Sequence, residues 1–144
     1  MKEHHTDEYW FGIAERAAQN ALCKRAKCGA VIVSQGGELI GEGYNAPPRN
    51  DVLTAKCNDE FDRTIKPKYD LTCCVHAEWR AIADALANNA EKIIGSTLYY
   101  VRLGEGGVRK PSRKPFCTVC SRLALDMRIG KFGLWHEDGI TLYD

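Results

Sequence analysis

Apolar side chains at Trp10, Ile13, Ala14, Ala17, Ala18 and Ala21 recur three and four residues apart, the stripe of a helix with one buried face. The spacing predicts a helix over residues 7–24, with Thr6 as N-cap and Asp7 and Glu8 at its positive end. Ala30-Val31-Ile32-Val33 is a β-branched run. Gly36-Gly37 separates it from Leu39–Tyr44, and the two runs read as a hairpin. From Asn45 to Thr72 the periodicity is lost among prolines and mixed charges, which predicts a long connection of the kind that carries function. Val75, Trp79, Ile82, Ala83 and Leu86 restore the helical stripe, and Leu98–Val101 reads as a third strand. A Gly-, Lys- and Arg-rich loop over 104–114 precedes a third helix from about Cys117 to Ile129, with Gly130 as its C-terminal cap. Phe132–Trp135 is a fourth strand and Ile140–Leu142 a short fifth.

The order α-β-β-α-β-α-β predicts an α/β protein: a mixed sheet of about five strands with helices on both faces, in three α/β/α layers. With 144 residues, the chain suits one domain spanning 1–144. Twenty Lys and Arg against nineteen Asp and Glu leave a formal charge of +1. No global field therefore draws the protein to nucleic acid or anionic lipid. No apolar run approaches the ~20 residues of a membrane span, and the N-terminus lacks an apolar targeting region, so the expected location is the cytoplasm.

Seven cysteines, with Cys73 and Cys74 adjacent and Cys117 and Cys120 as Cys-x-x-Cys, do not suit a secreted disulfide framework. Cys23 and Cys28 are expected as small buried hydrophobes. A second zinc site on Cys57, Cys73 and Cys74 is the lesser alternative, since the sequence shows no obvious local partner set for them. Cys117 and Cys120 stand at a predicted helix start, where residues three apart share a face and the helix dipole favours thiolates. His76-Ala77-Glu78 opens the other helix. One imidazole and two thiolates are the three ligands of a zinc that keeps its fourth position for water. Glu78, two residues beyond the histidine, can reach that water without binding the metal, as a general acid and base must. No second Cys-x-x-Cys and no His-x3-His is present to complete a closed structural site.

Together, Gly43-Tyr44-Asn45, His76-Ala77-Glu78 and Pro115-Phe116-Cys117-Thr118-Val119-Cys120 resemble the cytidine/deoxycytidylate deaminase superfamily, whose signature is His-x-Glu followed by Pro-Cys-x-x-Cys. The long segment between Asn45 and His76, and histidine as first ligand, resemble its deoxycytidylate deaminase-like branch most closely. The resemblance implies a cytidine deaminase-like fold, Zn2+ on His76, Cys117 and Cys120, proton transfer by Glu78, and a homo-oligomer. It also implies that Asn45 contacts the sugar or base and that the Ala77 backbone meets the ring carbonyl. Proline stands one place earlier here than in the family, and Phe116 takes its position. Phe116 and Trp135 are the aromatics expected to line the substrate pocket, and Trp79 is expected in the core.

The implied activity is hydrolytic deamination of a cytosine-type nucleoside or nucleotide to its uracil form. Three other readings share the motif: deamination of a guanine, isocytosine or pterin, editing of a base in RNA or single-stranded DNA, and a non-catalytic zinc module. A nucleic-acid editor calls for a stronger basic stripe than this near-neutral chain offers, and a non-catalytic module does not require Glu78. Arg109, Lys110, Arg113 and Lys114 are expected as a solvated basic loop, with contact to a substrate phosphate as the alternative.

Overall fold

A computed structural model describes residues 5–23, 26–54, 74–112 and 118–144. The first helix, α1, runs Asp7–Ala18, with the Thr6 side chain accepting a hydrogen bond from the Tyr9 N–H. It is shorter than its periodicity suggests. The Leu22 N–H donates to the Asn45 carbonyl at 3.0 Å, drawing the chain off the helix and into β1 (Lys27–Val33), which starts three residues earlier than expected. β2 (Leu39–Tyr44) pairs antiparallel with β1. Helix α2 spans Ala77–Asn89 and β3 spans Thr97–Leu103. Within the expected basic loop, Arg109–Lys110 form a two-residue strand, β4, paired with the end of β3. Helix α3 (Thr118–Asp126), β5 (Lys131–His136) and β6 (Gly139–Tyr143) follow.

The strands lie in the order β2-β1-β3-β5-β6, with β4 on β3. β3 and β5 are parallel, and the remaining pairs are antiparallel. Parallel neighbours need a crossover, and α3 lies on it. The two apolar clusters divide by sheet face. One joins Phe11, Ala14 and Ala18 of α1 to Val31, Tyr99 and Val101. The other joins Ala77, Ala81, Ile82 and Ala85 of α2 and Ala124 of α3 to Ala30, Ile32 and Leu98. The result is the expected mixed sheet between helical layers. Among the described residues no helix is long and apolar enough to cross a membrane.

Two glycines set how closely α2 approaches the sheet. A Cβ at Gly43 would lie 2.5 Å from both the Ala77 carbonyl oxygen and the Ala81 nitrogen, and one at Gly41 2.4 Å from the Ala81 carbonyl oxygen. With no side chains in the way, α2 rests directly on β2. Ala46 and Val75 exchange main-chain hydrogen bonds of 3.3 and 2.7 Å, fixing the residue that precedes His76. Arg80 reaches back to the Pro47 carbonyl and the Asn50 side chain at 2.9 and 2.8 Å, tying the turn after β2 to the same helix.

The end of α3 differs from the expectation. Arg128, and not Gly130, takes the left-handed conformation, with φ of 62°. The Arg128 N–H donates to the Leu125 carbonyl and the Ile129 N–H to the Ala124 carbonyl, the paired bonds of a Schellman ending. Gly130 is used differently. Its N–H donates to the Ser96 carbonyl at 2.7 Å, and a Cβ there would come within 3.2 Å of the Gly95 main chain.

Candidate active site

His76 is the N-cap residue of α2, extended in backbone (φ −67°, ψ 148°), and its side chain makes no capping hydrogen bond. Its ring Nδ1 lies 3.3 Å from the Cys120 sulfur. Cys120 is the third residue of α3 and is fully buried. Glu78, one residue into α2, is 5% exposed. One ligand atom from each of His76, Glu78 and Cys120 falls within a sphere of contact in which no pair is more than 4.8 Å apart. Two sequence-distant helix starts thus converge on one point, as the motif spacing implies. Cys117 and Phe116 lie outside the described residues, as do Arg113, Lys114, Cys57 and Cys73.

The donor set fits a zinc ion. A buried sulfur facing an imidazole nitrogen is the soft and borderline pairing that zinc takes from protein, and Cys117 precedes Cys120 at the spacing of a shared grip. Cys23, Cys28, Cys74 and Cys120 are the cysteines among the described residues, and all four are buried.

Several neighbours were not foreseen. Trp79, expected only as core, stacks on the His76 imidazole with ring centroids 4.7 Å apart and planes at 22°. The i,i+3 spacing from His76 was the available signal. Its Nε1 is buried with no hydrogen-bond partner among the described residues. Behind Glu78, the Tyr100 hydroxyl donates to the Cys28 sulfur at 3.0 Å. Burial pushes the Cys28 thiol up to about 11; the hydrogen bond from Tyr100 opposes that rise and the Glu78 carboxylate adds to it. Burial likewise raises the Tyr100 phenol, helped by the Cys28 thiol and by Glu78. Both groups are neutral near physiological pH, an uncharged wall beside the carboxylate.

The other expected contacts separate. The Asn45 Oδ1 accepts from the Cys28 N–H at 2.8 Å, and its Nδ2 donates to the Ala26 carbonyl at 2.8 Å. The carboxamide thus pins the start of β1, the strand end that carries Cys28. Ala77 opens α2, where first-turn N–H groups have no partner within the helix and the N-cap side chain supplies none. Trp135 requires a correction. It packs with the α1-side cluster, whereas Ala77 belongs to the cluster on the opposite face, so the sheet separates it from His76. Arg109 is not solvated either. It bonds Glu8 at 2.7 Å and also Glu15, and it lies over the rings of Phe11 and Trp135.

Fold and site together define a helix-flanked mixed sheet with a His-x-Glu and a cysteine helix meeting at one edge. Residues 4–134 match the family described as "Cytidine and deoxycytidylate deaminase zinc-binding region", and the chain belongs to that family. A deoxycytidylate deaminase from Mycobacterium phage D29 is 37% identical over 108 residues, covering 71% of this chain and 81% of the relative. Among solved structures, a cytidine deaminase from Burkholderia pseudomallei superposes with a TM-score of 0.60 at 19% identity, over 97% of this chain and 93% of that one. A dCMP deaminase from the cyanophage S-TIM5, solved in complex with dCMP and dUMP, superposes with a TM-score of 0.56 at 22% identity, over 88% and 79%. At these identities the two structures establish the fold.

Proposed function

We propose that this chain is a zinc-dependent hydrolytic deaminase that converts a cytosine nucleotide to its uracil form and releases ammonia. The observation that carries the reading is the convergence of His76, Glu78 and Cys120 within 4.8 Å at two helix starts. The substrate follows from the phage relative, whose name is deoxycytidylate deaminase, and from the cyanophage neighbour, solved with dCMP and dUMP.

His76, Cys120 and Cys117 hold the metal in this reading. Zinc bound by three protein ligands supplies a water acidified to a pKa of roughly 7. Glu78 takes a proton from the attacking water and gives it to the ring nitrogen beside the C–NH2 carbon. The carbon becomes tetrahedral, bearing both the new hydroxyl and the amine. Glu78 then removes the hydroxyl proton and passes it to the amine, which leaves as ammonia while the carbonyl forms. The protons balance: one stays on the ring nitrogen and one departs with the amine. In this reading the Ala77 N–H, in the first turn of α2, donates to the ring carbonyl. Burial of Glu78 excludes bulk water that would exchange with the proton in transit.

Ammonia release measured over cytosine, cytidine, deoxycytidine, their monophosphates, isocytosine, guanine and adenine tests the assignment. Turnover of cytosine nucleotides is expected. Glu78→Ala keeps about one zinc per chain and loses nearly all activity, whereas Cys120→Ala releases the metal. Undiminished turnover by Glu78→Ala, or after complete removal of zinc, would end this reading.

A further inference from the structure

The chain that leaves β4 towards α3 is held against β5 at a single residue. β1 pairs with one edge of β3 as far as Leu103, so β4 takes the other edge, beyond the end of β5. Ser112 closes the gap between these two strands. Its N–H donates to the Trp135 carbonyl at 2.7 Å, and its carbonyl accepts from His136 Nδ1 at 2.7 Å. On the other side of the ring, His136 Nε2 and the Tyr143 hydroxyl are 2.8 Å apart.

A carbonyl only accepts, so in the neutral imidazole Nδ1 carries the ring hydrogen and Nε2 accepts from Tyr143. Tyr143 thereby fixes the tautomer that grips Ser112. The His136 ring lies on the face of the sheet that carries the site, and at the same end. Phe132 packs with the α2-side cluster, and alternation along β5 gives His136 the same face. The parallel register pairs Tyr100 with Leu134. Carried on to His136 it reaches Arg102, which stands opposite Cys28. Arg109, anchored by Glu8 and Glu15 on the other face, holds the start of the same stretch.

We propose that His136 is a positioning residue for the metal centre: through Ser112 it fixes where the chain leading to Cys117 leaves the sheet. The proposal rests on the deaminase reading above, in which Cys117 joins Cys120 on zinc. Cys117 follows Ser112 by five positions, a tether that extends to about 18 Å at most. A tether that short passes on any movement of its origin. With Ser112 held before the metal arrives, less ordering remains to be done when the second thiolate binds. Without His136, Ser112 keeps only its bond to the Trp135 carbonyl, can pivot about it, and loses the partner of its own carbonyl. His136 touches neither metal nor substrate in this arrangement and acts through placement alone.

The test is zinc retention during competition with a chelator, expressed per folded chain and read beside the thermal midpoint. His136→Ala should weaken zinc binding by about 3- to 10-fold, the range for loss of one hydrogen bond. His136→Asn, whose amide N–H comes from the same side-chain position as Nδ1, should restore most of the affinity. Tyr143→Phe keeps the ring but releases its tautomer, and should lose about 2-fold. Cobalt in place of zinc gives a second readout. Its thiolate-to-metal charge-transfer absorption should saturate at correspondingly higher cobalt in His136→Ala. A lower thermal midpoint with zinc and cobalt affinity unchanged would overturn the proposal, because the histidine would then only staple the end of β5. An affinity that His136→Asn does not recover would overturn it too. Should His136→Ala fail to fold, Tyr143→Phe decides: weaker metal binding supports the proposal, and wild-type affinity overturns it. If the wild-type protein binds no zinc, the metal reading itself falls and takes this role of His136 with it.

Discussion

The His76 imidazole and the Trp79 indole stack one helical turn apart at the start of α2, with centroids 4.7 Å apart. A metal-binding imidazole must be held in one orientation, and that task usually falls to a hydrogen bond from its second nitrogen. Here an aromatic face bears on the ring as well. Trp79→Leu should therefore weaken zinc binding by about 10-fold, the lower end of the range for loss of a group that orients a ligand. Zinc retained during competition with a chelator measures it. Trp79→Phe should restore most of the affinity, and retention by Trp79→Leu equal to wild type would show that the stack orients nothing.

Gly43 and Gly29 lie on opposite faces of the sheet, each beneath a helix. A Cβ at Gly43 would meet the Ala77 carbonyl at 2.5 Å, and one at Gly29 the Ala14 carbonyl at 2.1 Å. Either alanine substitution forces a helix outward and should cost about 1–3 kcal/mol, read as a fall in the urea midpoint. Their effects on the site should differ. Gly43→Ala displaces the helix that carries His76 and Glu78, so zinc affinity falls with stability. Gly29→Ala displaces α1 on the far face, so the folded fraction should bind zinc as wild type does.

The parts of this molecule that follow from local periodicity were readable in the chain: β2, α2 and β5 fall close to where the apolar spacing puts them, while α1 begins where expected but ends six residues early and β1 starts three residues early. The meeting of His76 with Cys120 was implied by two motifs at helix starts. What escaped was anything decided by the third dimension. Phe132-Gly133-Leu134-Trp135 lies in a sheet covered by helices on both sides, so no alternation of polar and apolar residues marks which face Trp135 takes. Arg109 sits in a stretch that reads as solvated until Glu8 and Glu15, about a hundred positions earlier in the chain, are folded beside it. Asn45 has the sequence setting of a turn or ligand contact, and only the fold supplies the main-chain groups of Ala26 and Cys28 that engage it.

Arg128 holds a left-handed backbone, φ 62°, at the end of α3. A side chain there costs energy that glycine does not incur, and this is the position where helices most often carry glycine. Arg128→Gly should raise stability by about 0.5–1 kcal/mol, after allowing for the greater freedom of glycine in the unfolded chain. The thermal midpoint checks it. A lower midpoint would mean that the arginine side chain contributes more than its backbone conformation costs.

Cys28 and Tyr100 give stability a dependence on alkaline pH. Burial raises the Cys28 thiol from 9.0 to about 11 and raises Tyr100 as well, so between these values the folded chain holds protons that the unfolded chain releases. Where the native state binds more protons, stability falls as pH rises. The contribution is fully present below pH 9 and is lost as pH climbs towards 11. Urea unfolding at pH 8, 9, 10 and 11 should show wild type declining more steeply than a Cys28→Val/Tyr100→Phe double variant. The double substitution removes both titrating groups without leaving either one unpartnered, so lysine and other surface titrations are common to the two proteins. Parallel curves would mean that the pair does not govern the alkaline limit of the fold.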